Sequence, residues 1–479
     1  MSSSLTQYFR CPDQFALIDQ PQSPSKTSGY FRFGSDSVIY GAYDKARPDP
    51  AGGLPLSDAL SQVEIKEGRV SLPFSPAEVV GNLQREMYVR EWRQGSLSLL
   101  SSLYYLIRPG LPVSVRRHLQ KLHLRGWSRI PFPRWPIDFS INGLHEQLLL
   151  LTLRASGVER IPFIWFWPEG HAGCALMTHD VETREGSDFC STLMDIDDSY
   201  GVKASFQIIP EDRYLVRPEF LQEIRSRGFE VAVHDLNHDG HLFKNRSQFL
   251  ARARQINAYG VQFQAEGFRA AVLYRKQLWF DALQFAFDMS VPNVAHLDPQ
   301  RGGCCTVMPY FIGDILEIPV TAIQDYTLFH ILNDYSIDIW KEQIDLILSK
   351  HGCMSFIVHP DYVIEPREQD VYRRLLAYLN QVRDERNVWM STPCQVNRWW
   401  RQRDAMRIVN CGNSWQIEGP GKERARIAYA FEKDGQLSYS INDEESGRKP
   451  IHEERGYFGV SSEPHSAAGP RSRRSHTQL

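Results

Sequence analysis

The sequence predicts an α/β fold: a distorted (β/α) barrel over residues 172–411, an N-terminal α+β extension over 1–171 and a small C-terminal β module over 412–441. Three observations carry this expectation. Short apolar runs alternate with helical stretches between residues 172 and 400, the rhythm of a parallel sheet or a (β/α) barrel. Clusters of carboxylates and histidines follow directly after three of those runs, where barrel active sites form. The 479 residues are too many for such a barrel alone, since a domain takes roughly 100–200.

Composition narrows the function classes. Hydrophobic residues make up 42% and charged residues 23%, as in an ordinary soluble protein. A net charge of −3 argues against nucleic acid as a partner. The 8 cysteines contain no C-x-x-C pair, which excludes a zinc ribbon or a thioredoxin-like site, and they are too few for a disulfide framework. The first residues hold Arg10 and no apolar core of secretory type. The longest nearly apolar stretch, 97–107, carries serines and is too short for a bilayer. The expectation is a cytoplasmic protein, with an oligomeric state that nothing in the sequence specifies.

The elements follow in chain order. Aromatic and β-branched runs closed by glycine predict strands at 30–34 and 37–41. Ser75-Pro76-Ala77-Glu78 has the form of a capping box with proline at the first helical position, predicting a helix to about Arg93 and a second over 96–108. The segment 108–135 carries Arg108, Arg116, Arg117, His118, Lys121, His123, Arg125, Arg129 and Arg134 with no acidic residue, among Trp127, Phe132 and Trp135. Such a segment can touch an anionic membrane surface or glycan, or simply be a solvated helix face. Barrel strands are predicted at 173–178, 203–209, 229–234, 261–268, 315–320, 353–358 and 388–390. Helices are predicted at 187–199, 217–227, 247–259, 276–287, 336–350 and 367–384. Strands at 414–417, 425–431 and 437–441 then surround a turn at Asp434-Gly435, and the composition of 442–479 predicts disorder.

Three motifs carry candidate chemistry. Thr178-His179-Asp180-Val181-Glu182 ends the first barrel strand with two carboxylates, which can divide the roles of base and metal ligand or can simply favour a helix N-terminus. His234-Asp235-Leu236-Asn237-His238 places histidines four apart, able to chelate one metal from one side of a helical turn, or to lie in a polar surface turn; His241 is a spare ligand. His359-Pro360 follows an apolar strand, so His359 is either a general acid or a structural histidine. Two histidines and a carboxylate make a mononuclear metal site, and a second carboxylate and third histidine complete a metal-assisted hydrolase set.

The order Asp180-x-Glu182, His234-x3-His238, Arg269, Leu316-Glu317-Ile318-Pro319 and His359-Pro360 resembles the NodB-type polysaccharide deacetylases, carbohydrate esterase family 4, over about 172–400. The first motif looks like that of a THDVD-type branch. The resemblance implies Asp180 as catalytic base, Arg269 as its orienting partner, His359 as general acid, and Glu182, His234 and His238 as ligands of a divalent metal, zinc foremost, with cobalt or nickel as alternatives. It also implies an N-acetylated sugar or glycan as substrate; the lack of a secretory pattern favours a cytoplasmic, lipid-linked precursor, with the segment 108–135 then approaching the inner membrane peripherally. Tyr274 and Arg275 are the candidate substrate-binding residues. The chain departs from the family where Glu182 replaces the usual aspartate and Ala271 the usual proline, and Asp361 is the nearest candidate for the aspartate that tunes the acid histidine. Those departures keep open a metal-free glycan-binding pseudoenzyme, and the resemblance leaves a cyclic-amide hydrolase on the same fold as a further reading, since some relatives of the fold open cyclic amides.

Overall fold

The computed structural model describes residues 4–441 apart from 20–24, 26, 36, 52–54, 90–118, 120 and 413. The expected helix at 96–108, most of the basic segment's N-terminal half and the tail after 441 lie outside the described residues.

The centre is a curled, mostly parallel sheet. Its strands are β1 (Gly173–Val181), β2 (Ala204–Ile208), β3 (Glu230–His234), β4 (Gly267–Arg269), β5 (Phe287–Asp288), β6 (Tyr310–Ile312), β7 (Ile315–Glu317), β8 (Cys353–Ile357) and β9 (Val388–Ser391). They lie in the order β6-β7-β5-β4-β3-β2-β1-β8, with only β6 antiparallel. β9 and β2 share one edge of β1: β9 runs along Gly173–Leu176 and β2 along Met177–Val181. The gap between β7 and β8 is bridged by the irregular chain after β7, where Ala322 N–H donates to Ser355 O and Ser355 N–H to Thr321 Oγ1. The sheet is thus a distorted (β/α) barrel, as the alternation of apolar runs and helical stretches predicts.

Alternation along β1 shows how it is buried on both faces. Ala175 and Met177 join the cluster under the outer helices, whereas Cys174 and Leu176 join a second cluster with Leu148, Phe163 and Trp167 of the N-terminal segment. Gly267 is required at the β4–β5 contact, because a Cβ there would come within 2.2 Å of the Phe287 ring.

Several elements differ from the sequence expectation. The helix at Ser75 is present, with Ser75 Oγ accepting from Glu78 N–H, but it ends at Gln84 rather than near Arg93. Beyond it Glu86 turns to a positive φ of 57°, and its carboxylate accepts from Arg275 Nε at 2.8 Å and from Gly303 N–H at 2.7 Å. The strand expected at 261–268 is only Gly267–Arg269, because the preceding helix Arg246–Gln262 continues with Val261 79% exposed on its outer side. The helix expected at 276–287 is a short 3-10 segment, Gln277–Ala282, followed by β5. The helices Ser140–Ser156 and Pro393–Ala405 were not expected. At the C-terminal end, Asp434 and Gly435 both take positive φ in the two-residue turn of the hairpin Ile427–Lys433/Gln436–Ile441, as the Asp-Gly pair predicts. That hairpin pairs antiparallel with Arg160–Ile164. No helix among the described residues is long and apolar enough to cross a membrane.

Glu86 and Arg275 are both fully buried and stand 189 residues apart in sequence. Removing one partner of a buried ion pair strands the other charge, which costs about 3–5 kcal/mol. Glu86→Gln should therefore lower stability by about that amount in denaturant titration. A loss under about 1 kcal/mol, the scale of an exposed pair, would show the pair to be unimportant.

Candidate active site

The expected base, metal ligands, arginine and acid stand at the carboxyl ends of strands or in the loops that follow them. Asp180 is the penultimate residue of β1, and Glu182 follows it before the next helix, whose N-cap is Thr183. Glu182 is therefore outside the helix and free to face the barrel rim. His234 ends β3 and Arg269 ends β4. His359 lies two residues beyond β8. The motif-two histidines do not share a helical turn. Residues 235–241 form an irregular loop in which Asp235 and His238 take positive φ, 55° and 57°, folding His238 back until the two rings lie 5.0 Å apart.

The six groups converge. Arg269 Nη1 donates to Asp180 Oδ1 at 2.5 Å and to Thr178 Oγ1 at 2.8 Å, and Arg269 Nε donates to Met289 O at 2.9 Å. Glu182 Oε1 stands 2.8 Å from His238 Nε2, 3.6 Å from His234 Nε2 and 3.5 Å from His359 Nε2. Asp180 Oδ2 is 3.7 Å from His234 Nε2. Burial raises the Asp180 carboxyl, but Arg269 with His234 and His359 outweighs it and holds the group below its ordinary value. Glu182 is pushed up by burial and drawn well below the usual range by the three histidines, His238 foremost. His359 is pushed down by burial and carried well above its ordinary value by Asp325 and Glu182.

The donor set fits a metal ion. His234 Nε2 and His238 Nε2 are buried without a hydrogen-bond partner, and the close approach of His238 to Glu182 is not aligned as one. The His234 ring is fixed from behind, its Nδ1 lying 3.1 Å from Arg269 O. A ring whose Nδ1–H is held by a carbonyl presents its Nε2 lone pair forward, the usual posture of a metal-bound histidine. The loop carrying His238 is tied by Arg213 Nη2, which donates to the His238 carbonyl at 2.7 Å and approaches Nδ1 at 3.4 Å. Glu182, His234 and His238 form one compact ligand group, and Asp180, Glu182 and His359 a second that shares the glutamate. His241 belongs to neither; its Nδ1 faces Asp239 at 3.5 Å.

The sequence reading missed Asp325. It is fully buried, and its carboxylate meets His359 twice: Oδ2 accepts from the His359 backbone N–H and Oδ1 lies 2.7 Å from Nδ1, also at 2.7 Å for the first contact. This is the partner for which Asp361 was the nearest candidate. Asp361 is instead half-buried beyond the histidine, with burial pushing its carboxyl up to about 6. Asp325→Asn keeps the shape but removes the charge that orients and holds the His359 proton. Losing such a supporting partner should lower turnover about 10–100-fold with KM little changed; unchanged kcat would remove Asp325 from the machinery.

Ala271, where the family motif has proline, uses the N–H that proline lacks: it donates to Asp235 Oδ2 at 3.3 Å. Ala270 N–H donates to Ser290 Oγ at 2.8 Å, so the loop after Arg269 is pinned by hydrogen bonds. Arg275 departs from its expected role. Its guanidinium is fully buried and committed to Glu86 and to Leu273 O, so it does not face the site. Tyr274 is half-buried against the cluster under the outer helices.

No protein-family model matches the sequence, and no curated protein sequence matches it. Solved structures are similar in part. One is a chain from Mycobacterium smegmatis described as a polysaccharide deacetylase, 17% identical over 52% of this chain and 98% of that one, with a TM-score of 0.42. A second is the peptidoglycan deacetylase PdaC from Bacillus subtilis, 14% identical over 50% and 95%, at 0.31. A third is PuuE allantoinase, 11% identical over 49% and 92%, at 0.39. The chemistry rests on the side chains themselves.

Proposed function

We propose that this chain is a metal-dependent hydrolase of the polysaccharide deacetylase type that removes N-acetyl groups from a glycan or glycan precursor. The observation that carries the reading is one cluster holding an Arg-held carboxylate, two histidines with orphaned Nε2 atoms beside a glutamate, and an Asp-backed histidine.

Glu182, His234 and His238 would hold the divalent ion, zinc foremost with cobalt or nickel as alternatives. When bound it would polarise the amide carbonyl and acidify an attacking water. Asp180, kept ionised by Arg269, accepts the proton of that water. Arg269, itself held by Thr178 Oγ1 and Met289 O, takes Asp180 Oδ1 and leaves Oδ2 on the side of His234. His359 holds a proton at Nε2, because Asp325 engages Nδ1. It delivers that proton to the departing amine, so the products are acetate and a free amino sugar.

The test is acetate release by the purified chain, loaded in turn with zinc, cobalt and nickel, from N-acetylated oligosaccharides and sugar nucleotides. Release that needs metal supports the reading. Metal binding without release from any of these, but with opening of a cyclic amide, moves the chemistry to that substrate. Failure to bind metal under any loading would make the chain a glycan-binding relative without activity.

A further inference from the structure

A second cavity, of about 570 Å³, lies away from this cluster. Its wall includes Asp314, which immediately precedes β7. Arg401, also in its wall, donates through Nη2 to Asp314 O and to Ala286 O, just before β5, each at 2.6 Å. The cavity therefore opens at the amino-terminal ends of the strands, opposite Asp180 and His359. The N-terminal helix Ser4–Phe9, the helix Pro76–Gln84 and the helix Pro393–Ala405 all contribute to it.

Arg403 is the unusual group there. It is 2% exposed, and among the described residues no carboxylate lies in ion-pair range of it. Its Nε donates to Trp165 O at 3.0 Å, and its Nη2 reaches Tyr8 O, Phe9 O and Ile164 O at 3.1, 3.2 and 2.8 Å. Nη1 has no hydrogen-bond partner among the described residues. The neighbouring carboxylate, Asp404, is paired with Arg10 at 3.0 Å. Burial draws the guanidinium down to about 9, which still leaves it charged at neutral pH. The guanidinium also lies 5.3 Å from the Phe166 ring and 5.2 Å from the Trp400 ring, so carbonyls and aromatic rings surround a cation in the cavity wall that no carboxylate neutralises, and an anion would complete it.

The rest of the wall suits a polar ring. Tyr8, Tyr310 and Trp400 offer aromatic surface, and the carboxamides of Gln7 and Gln84 have no hydrogen-bond partner among the described residues. The Tyr8 ring is itself braced by stacking on His145 at 4.1 Å. Aromatic faces beside free carboxamides match the apolar face and hydroxyls of a sugar.

We propose that this cavity binds an anionic monosaccharide unit, its charged group held by Arg403 Nη1 and its ring among Tyr8, Tyr310 and Trp400. The site is independent of the deacetylase reading, so its test uses binding alone. Calorimetry on the full chain compares glucuronate, glucose 6-phosphate, neutral glucose and inorganic phosphate; the first two separate a carboxylate from a phosphate as the anion. At least one anionic sugar should bind saturably, about tenfold or more tighter than glucose and than phosphate. Gln7→Trp, which fills the exposed mouth and leaves Arg403 in place, should weaken that binding about tenfold or more. Arg403→Met should abolish the preference for the anion, in so far as the variant folds without its four carbonyl contacts. Binding of glucose equal to both anionic sugars would overturn the proposal. So would inorganic phosphate binding as tightly as the better of the two anionic sugars, an unaltered affinity in Gln7→Trp, or no saturable binding at all; Arg403 would then be only a clasp between the N-terminal helix and the 160–164 strand.

Discussion

Asp180→Asn should lower acetate release by about 10²–10⁴-fold, the contribution of a positioned general base, while bound metal stays at its wild-type level. The amide is nearly the same size as the carboxylate and its oxygen can still accept from Arg269, so the pocket keeps its shape. It cannot accept the water proton. Arg269 would remain buried with Nε on Met289 O but without its counter-charge. A stability loss is therefore expected alongside the kinetic one, and the two separate by experiment. Denaturant titration reads the first, and kcat at saturating substrate, well below the unfolding midpoint, reads the second. Arg269→Lys sharpens the contrast: it keeps the charge but not the planar group that reaches Asp180, Thr178 and Met289 together. A variant Asp180→Asn that retains full turnover would transfer the base to another group, and Glu182 is the carboxylate that both compact ligand groups share.

The parts of this site that the sequence discloses are those fixed by local pattern. β1, β3 and β8 are short apolar runs, so the residue leaving each run is placed at the rim by strand geometry alone, and Asp180, His234 and His359 follow. Asp325 escapes because its environment has no period. The chain from Ile318 to Gln324 is irregular, held to β8 by Thr321 and Ala322 rather than by a strand ladder, Asp325 opens the helical turn after it, and its partner is 34 residues away. Arg275 is misread for a related reason. Its position six residues after Arg269 suggests the pocket, but the charge that claims it, Glu86, lies in the N-terminal extension. The helix Ser140–Ser156 carries a clear stop signal in Gly157, at a φ of 66°, yet its Leu148–Leu151 run is apolar on every side. A helix buried all round shows no amphipathic stripe to read. Glu182 is the instructive intermediate case. Its extra methylene relative to aspartate looks like a defect from the motif alone. The structure places it on the loop beyond β1, where the longer side chain brings Oε1 toward three imidazoles at once.

That geometry leads to the other large effect. His234→Ala and His238→Ala each remove one of three donors, and the loss in metal affinity should exceed the 10–100-fold typical of changes to groups outside the ligand shell. Affinity can be read without turnover. An ion that binds only the folded chain stabilises it by about 2.7 kcal/mol at a free concentration 100 times Kd. Wild-type protein stripped with chelator should therefore regain thermal stability on adding zinc, and the two alanine variants should not respond at the same concentration. His241→Ala should respond like wild type, since that ring faces Asp239 outside the ligand group. Glu182→Asp distinguishes between the two accounts of the glutamate. If Oε1 must reach the histidines from the loop after β1, the shorter side chain withdraws it, and the zinc response should weaken. An undiminished response in Glu182→Asp would mean that the loop, not the side-chain length, sets the position of the oxygen. An undiminished response in both histidine variants would place the metal elsewhere, with Asp180, Glu182 and His359 as the remaining compact group able to hold it.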